Sequence, residues 1–156
     1  MKRKLYIIAA FLVLMLFLTA CVACDRAQSQ AASNPDTSGD TVVRFADATP
    51  DSGERIDIPG YENLTMQAGS KSQKVYLYNP QNNAAYFVLT LTLSNGETLW
   101  TGKKLYPGEA FTGIVLKKSL KAGNYTATLH YNCFSVNNNE PLNGAEVQLN
   151  LTVDQK

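Results

Sequence analysis

Histidine is nearly missing from this chain of 156 residues, which has one, and cysteine is scarce, with three. A single imidazole leaves no local pattern for a hydroxyl or thiol nucleophile with its base, and three thiols without a second ligand pair leave none for a structural zinc site. No D-x-D-x-D-G spacing offers a calcium loop, and no motif calls for a cofactor, so none is expected. A helical stripe is lacking as well, since no segment repeats its apolar residues at intervals of three and four. An excess of charge of one sign is also missing. The formal net charge is +1, and without Lys2, Arg3 and Lys4 it becomes -2, so no basic excess remains to attract nucleic acid.

What the chain does have begins at its front. Leu5 to Leu18 is an unbroken run of fourteen apolar or aromatic residues behind those three positive charges. A permanent span needs roughly 20 such residues, so the run has the length of an export signal's apolar region instead. Leu18-Thr19-Ala20-Cys21 closes it with an aliphatic residue, two small ones and a cysteine.

That order of charge, oily run and tetrapeptide resembles the signal and lipobox of bacterial lipoproteins. The resemblance implies cleavage before Cys21, diacylglycerol on its thiol, and a membrane partner reached through the N-terminal lipid. Residues 1–20 would then be a signal peptide, and the protein would lie outside the cytoplasmic membrane, on the cell membrane or outer envelope. Val22 follows Cys21 directly, so the aspartate of the inner-membrane retention signal is absent. The competing readings are an uncleaved anchor helix and a redox or metal role for the Cys21 and Cys24 pair, which lacks a βαβ context. Cys24 is a poorer lipid acceptor because Cys21, not an aliphatic residue, precedes it by three.

Residues 21–54 read as a lipidated N-terminus and flexible tether. From Asp25 to Glu54 there are six acids against two bases and only a brief apolar patch at Val42, Val43 and Phe45. Such a composition buries too little to offset an ordering cost of about 1 to 2 kcal/mol per residue. The patch could still add an edge strand.

Residues 55–156 form the expected folded domain. Apolar and polar residues alternate at period two, with Gly, Pro and Asn between segments. The strands are expected in "RIDIPGY", which Pro59 and Gly60 stop, then "QKVYLYN", "AYFVLTLTL", a short one at Leu99 and Trp100, "AFTGIVL", "GNYTATLHYNC" and "AEVQLNLTV". Asn95-Gly96 suits a type I′ hairpin and Pro107-Gly108 a type II turn. Seven or eight strands, antiparallel or nearly so, would bury five inward sets at once only if two sheets face each other: Val75 and Leu77; Phe87, Leu89, Leu91 and Leu93; Ile114 and Leu116; Tyr125, Ala127, Leu129 and Tyr131; and Val147, Leu149, Leu151 and Val153.

The stretch "LKAGNYTATLHY" resembles the start of the penultimate strand in immunoglobulin-like and fibronectin-like β-sandwiches, where a tyrosine corner pins the turn. The resemblance implies an all-β antiparallel sandwich in which the Tyr125 hydroxyl bonds back to backbone near Leu120. Ala127 stands two residues later, so the inter-sheet disulfide of antibody domains is absent.

Strand phase puts Tyr76, Tyr78 and Tyr86 on the outside, and these with Trp100, beside the segment "TGKKLYPG", are the candidate binding surface. Rigid rings contribute contact area at low entropic cost, although tyrosines on neighbouring strands also stabilise a sheet by pairing. His130 is expected outward with Thr128 and Asn132. Cys133 is expected buried, with a disulfide to Cys24 as the competing reading. Asn63, Asn124 and Asn150 match the glycosylation pattern but receive no function behind a bacterial signal.

The functional expectation is a non-catalytic surface lipoprotein that binds a cell-envelope component, an extracellular protein or a glycan. Two alternatives stand beside it. One is a protease inhibitor using the loop Val136 to Gly144, and the other is a carbohydrate-active hydrolase, which needs two carboxylates converging in a cleft.

Overall fold

The computed structural model describes residues 39–50 and 55–155, which belong to one unit. The apolar run, the lipobox and Cys24 lie outside the described residues. Those described contain eight strands and no helix: β1 (Thr41–Arg44), β2 (Asn63–Gln67), β3 (Ser72–Tyr78), β4 (Ala85–Leu93), β5 (Thr98–Leu105), β6 (Glu109–Val115), β7 (Gly123–Ser135) and β8 (Ala145–Asp154). They make a three-stranded sheet in the order β1-β6-β3 and a five-stranded sheet in the order β2-β8-β7-β4-β5.

One apolar core lies between the sheets. Leu77, Phe111 and Ile114 of the small sheet join Phe87, Leu89, Leu91, Leu99, Leu129, Tyr131, Leu149 and Leu151 of the large one. The period-two alternation expected from sequence holds, with Val75, Leu93, Tyr125 and Val147 only partly covered. Trp100 meets Phe111 edge to face at 5.0 Å across the core. A Cβ at Gly102 would lie 2.6 Å from the Trp100 ring and 2.9 Å from Phe111, so the indole needs a glycine there to fit beside the strand.

Three expectations are corrected. Residues 55–61 form no strand, because the Asn83 side chain takes the place of a ladder partner: its amide accepts from the Asp57 N–H at 2.8 Å and donates to the Asp57 carbonyl at 2.9 Å. The strand lies further on, at β2, where Leu64 and Met66 alternate inward. Second, β2 pairs with β8 in parallel, so the sheets are not wholly antiparallel. Third, the tether does not extend to residue 54. Thr41–Arg44 is a strand paired antiparallel to β6, and Val42 is buried.

Turn chemistry follows the glycines. The hydrogen bond from the Glu109 N–H to the Tyr106 carbonyl closes the type II turn at Pro107-Gly108, with Gly108 at φ +79°. A Cβ there would stand 2.1 Å from the Ala46 carbonyl, so the close passage of the segment after β1 also requires glycine. At Asn95-Gly96 only Gly96 takes a positive φ. Its N–H donates to Leu93 and the Leu93 N–H donates to Glu97, which makes a turn with a bulge in place of the expected type I′.

Candidate functional site

The aromatic set expected from sequence falls into three places. Tyr76 and Tyr78 face outward on β3, with centroids 5.8 Å apart and planes tilted by 33°. Tyr86 is on the other sheet and buried, stacked on Phe134 at 5.3 Å, against Tyr106 at 5.4 Å, with the Lys104 ammonium 4.4 Å over its ring. Trp100 is in the core. Irregularities in the β4–β5 register leave Trp100 opposite the inward Leu91, and its Nε1–H donates to Asp40 Oδ2 at 2.9 Å. Tyr86 and Trp100 therefore drop out of the binding surface.

Phe45 takes their place beside Tyr78, edge to face at 6.1 Å. It follows β1 directly, and its N–H donates to the Gly108 carbonyl at 2.9 Å, which fixes the ring over the small sheet. Phe45 is 46 % and Tyr76 52 % exposed, so a patch of rings lies open to solvent. Charged groups stand near it in the chain: Arg44, next to Phe45, is paired with Glu109 at 2.9 Å, and Lys74 is exposed two residues before Tyr76. Sequence reasoning passed over Phe45 because its acidic neighbours made the segment look like tether. The signal was the short apolar run "VVRF" itself.

Below the patch, the Tyr61 hydroxyl accepts from the Tyr78 N–H at 3.0 Å, blunting part of the β3 edge. Burial pushes the Tyr61 hydroxyl up to about 12, an effect that the Tyr78 hydrogen bond partly opposes. The Tyr131 hydroxyl donates to the Pro59 carbonyl at 2.8 Å, and burial raises its pKa too.

The outer face of the large sheet has another chemistry. Cross-strand partners define its rows: Phe134 with Tyr86; Asn132, Val88 and Lys104; Glu146, His130, Thr90 and Thr101; Gln148, Thr128, Thr92 and Thr98; Asn63, Asn150 and Thr126; Thr65, Thr152 and Asn124. The last three rows hold six threonines, three asparagines and one glutamine, with no formal charge among them.

His130 lies on this face, as strand phase predicts, and bridges two neighbours. Its Nδ1 is 3.1 Å from Glu146 Oε1 and its Nε2 is 2.8 Å from Thr92 Oγ1. A carboxylate only accepts, so in the neutral ring Nδ1 carries the proton and Nε2 accepts from Thr92. This hydroxyl, imidazole and carboxylate series was not legible in a chain with one histidine, because its members are 54 residues apart in sequence and meet only through the β4–β7–β8 register. Acyl transfer also needs donors aimed at an oxyanion, and the Thr92 region is paired to Thr128 on one side and Thr98 on the other.

Tyr125 donates its hydroxyl proton to the Lys121 carbonyl at 2.9 Å, one residue past the expected acceptor region at Leu120. Cys133 is buried as a free thiol, and burial pushes its pKa up to about 11. The loop Val136 to Gly144 is tied down by the Ser135 N–H on the Glu140 carbonyl and the Leu142 N–H on the Cys133 carbonyl, both at 2.9 Å. Among the described residues no three His, Cys, Asp or Glu side chains are grouped to hold a metal ion. No family model, no curated protein and no solved structure matches this chain.

Proposed function

We propose that the protein is a non-catalytic, lipid-anchored binding module of the bacterial envelope. Cys21 carries the lipid, and the Phe45, Tyr76 and Tyr78 patch makes the contact. The single observation that carries the binding role is this open cluster of three rings on a rigid sheet. Aromatic anchors with charged neighbours have the composition of a protein-binding hot spot, so an extracytoplasmic protein is the partner that the patch suits best. The anchoring role rests on the residues Leu18-Thr19-Ala20-Cys21 behind a basic and apolar start. A lipid tether raises the local concentration of the module for any neighbour on the same surface.

The body is read as an Ig-like sandwich. The Tyr125 hydroxyl bond to Lys121 supports that reading, as does the β8-β7-β4-β5 order of the larger sheet, with the long strand β7 at its centre. The small sheet departs from the usual arrangement because β6, not β3, lies between its neighbours.

Cross-linking on intact cells followed by mass spectrometry tests the proposal. The wild-type chain is expected to capture a defined partner. The Tyr76→Ser/Tyr78→Ser double variant should capture at least about tenfold less, because hot-spot rings contribute on the order of 2 kcal/mol each. Cys21→Ser should be released from the membrane fraction and take up no labelled palmitate. Unchanged capture by a folded double variant would overturn the binding role, and palmitate-free wild-type protein would overturn the anchor.

A further inference from the structure

We infer that the outer face of the five-stranded sheet is a second binding surface, and that its ligand is an uncharged glycan chain. The inference does not rest on the lipid anchor or on the aromatic patch, which belongs to the other sheet.

The composition of this face favours such a ligand. Outward strand positions are ordinarily rich in charged side chains, which keep a protein soluble and its sheets from associating. Here the rows through Thr128, Gln148 and Asn150 are neutral, and the formal charges of Glu146 and Lys104 stand outside them. Without basic groups the neutral rows have no electrostatic attraction for nucleic acid or anionic headgroups. A protein partner is disfavoured because protein interfaces centre on desolvated apolar and aromatic residues, and these rows have none.

Hydrogen-bonding capacity on this face points the same way. Hydroxyl and amide side chains both donate and accept, as sugar hydroxyls do. Much of that capacity is not used within the protein: among the described residues Thr98, Thr126, Thr128, Gln148 and Thr152 make no side-chain hydrogen bond, whereas the Thr92 hydroxyl is committed to His130 at 2.8 Å and the Asn150 amide to Asn63 at 3.2 Å. Threonine is also stiff at χ1, so a ladder of threonines loses little freedom when it binds.

An exposed ring lies at one end of the same face. The Tyr106 ring packs against Tyr86 and remains 40 % exposed, while Lys104 and Phe134 hold Tyr86 in place. The ring stands about 20 Å along the strands from the first neutral row, beyond the rows of Val88 and His130, so it is an extended sugar chain that would lay an apolar C–H face on the ring and its hydroxyls on the neutral rows. His130, oriented by Glu146, keeps the Thr92 hydroxyl directed, so the row nearest the middle is ordered before a ligand arrives.

Calorimetric titration of the full chain in a polyoxyethylene detergent with cellohexaose, chitohexaose and oligogalacturonate tests this. At least one neutral hexaose is expected to bind saturably, and more tightly than oligogalacturonate. Thr128→Lys should weaken that binding at least tenfold, as should Gln148→Lys, whose exposed position keeps the test valid if the first variant does not fold. Tyr76→Ser/Tyr78→Ser should change the Kd less than twofold, which separates this surface from the patch. Absence of binding by both neutral hexaoses overturns the inference, as does indifference to the lysine variants or tighter binding of the acidic sugar. So does sedimentation showing a dimer that Gln148→Lys dissolves, since a second copy of the chain would then be the occupant.

Discussion

Asp40 sends one carboxylate oxygen to the Trp100 indole at 2.9 Å and the other to the Val115 N–H at 2.8 Å, and it is itself 5 % exposed. In sequence it is one of six acids in a stretch with the composition of a tether, and nothing local distinguishes it. Its role depends on a partner 60 residues away. Asp40→Ala should destabilise the fold by about 2 to 3 kcal/mol, because it removes two hydrogen bonds to a charged group and strands a buried indole donor. Asp40→Asn, which keeps an acceptor, should cost less. Urea denaturation followed by tryptophan fluorescence checks both, and equal stabilities for wild type and Asp40→Ala would contradict the assignment. Trp100 shows the same dependence on context. Its type is common at binding surfaces, yet the irregular β4–β5 register turns it into the core.

Strands β3, β4, β6, β7 and β8 were readable from their alternation, whereas β5, expected only as Leu99 and Trp100, runs Thr98–Leu105 with those two neighbours both buried, so its period is broken and the face of Trp100 could not be counted off. β1 and β2 were harder. β1 has four residues, too few for an alternation to be told from chance, and only β6 on its open side gives it a partner. β2 is polar at Asn63, Thr65 and Gln67, with Leu64 and Met66 its sole apolar signal. A further bond ties it across the sheets, since the buried Gln73 side chain accepts from the Gln67 N–H at 2.8 Å and donates to the Gln67 carbonyl at 2.9 Å. The revised boundary gives a direct test. A chain beginning at Gly39 should keep the fold, whereas one beginning at Arg55 loses β1, Asp40 and the cover that Phe45 provides. The shorter chain should melt at least about 10 °C lower, if it folds at all, given a shift of roughly 4 to 8 °C per kcal/mol for a domain of this size. Circular dichroism melts of the two chains would decide it, and matching midpoints would restore the longer tether.

At the scale of the molecule, three acidic protons are held by burial between or beside the sheets. Burial pushes Cys133 to about 11 and Tyr61 to about 12, and moves Tyr131 in the same direction. The unfolded chain would release these protons at the ordinary values of 9.0 for the thiol and 10.0 for the phenols. Between those values and the raised ones the unfolded state binds fewer protons than the folded state, so stability falls as pH rises. The contribution is fully present below pH 9, and its loss should begin with Cys133 and steepen above pH 10 as the tyrosines join. Each fully differential proton adds about 1.4 kcal/mol per pH unit to the slope. Urea midpoints from pH 7 to 11.5 should show this, and Cys133→Ala should delay the onset to about pH 10. A flat profile through pH 11 would contradict it.

Composition and periodicity were enough to exclude helices from the folded part, to place most strands and to choose the inward side chains, because period-two burial is a local property that each strand carries in its own residues. The candidate surfaces were not local in this sense. Tyr76 and Tyr78 could be put outside by counting, but their pairing with Phe45, the loss of Tyr86 and Trp100 to packing, and the neutral rows across β8, β7 and β4 all depend on strand order and register. Those are set by which sheet edges meet and by shifts of one residue in the ladder, which reverse a side chain's face without altering the amino acid beside it.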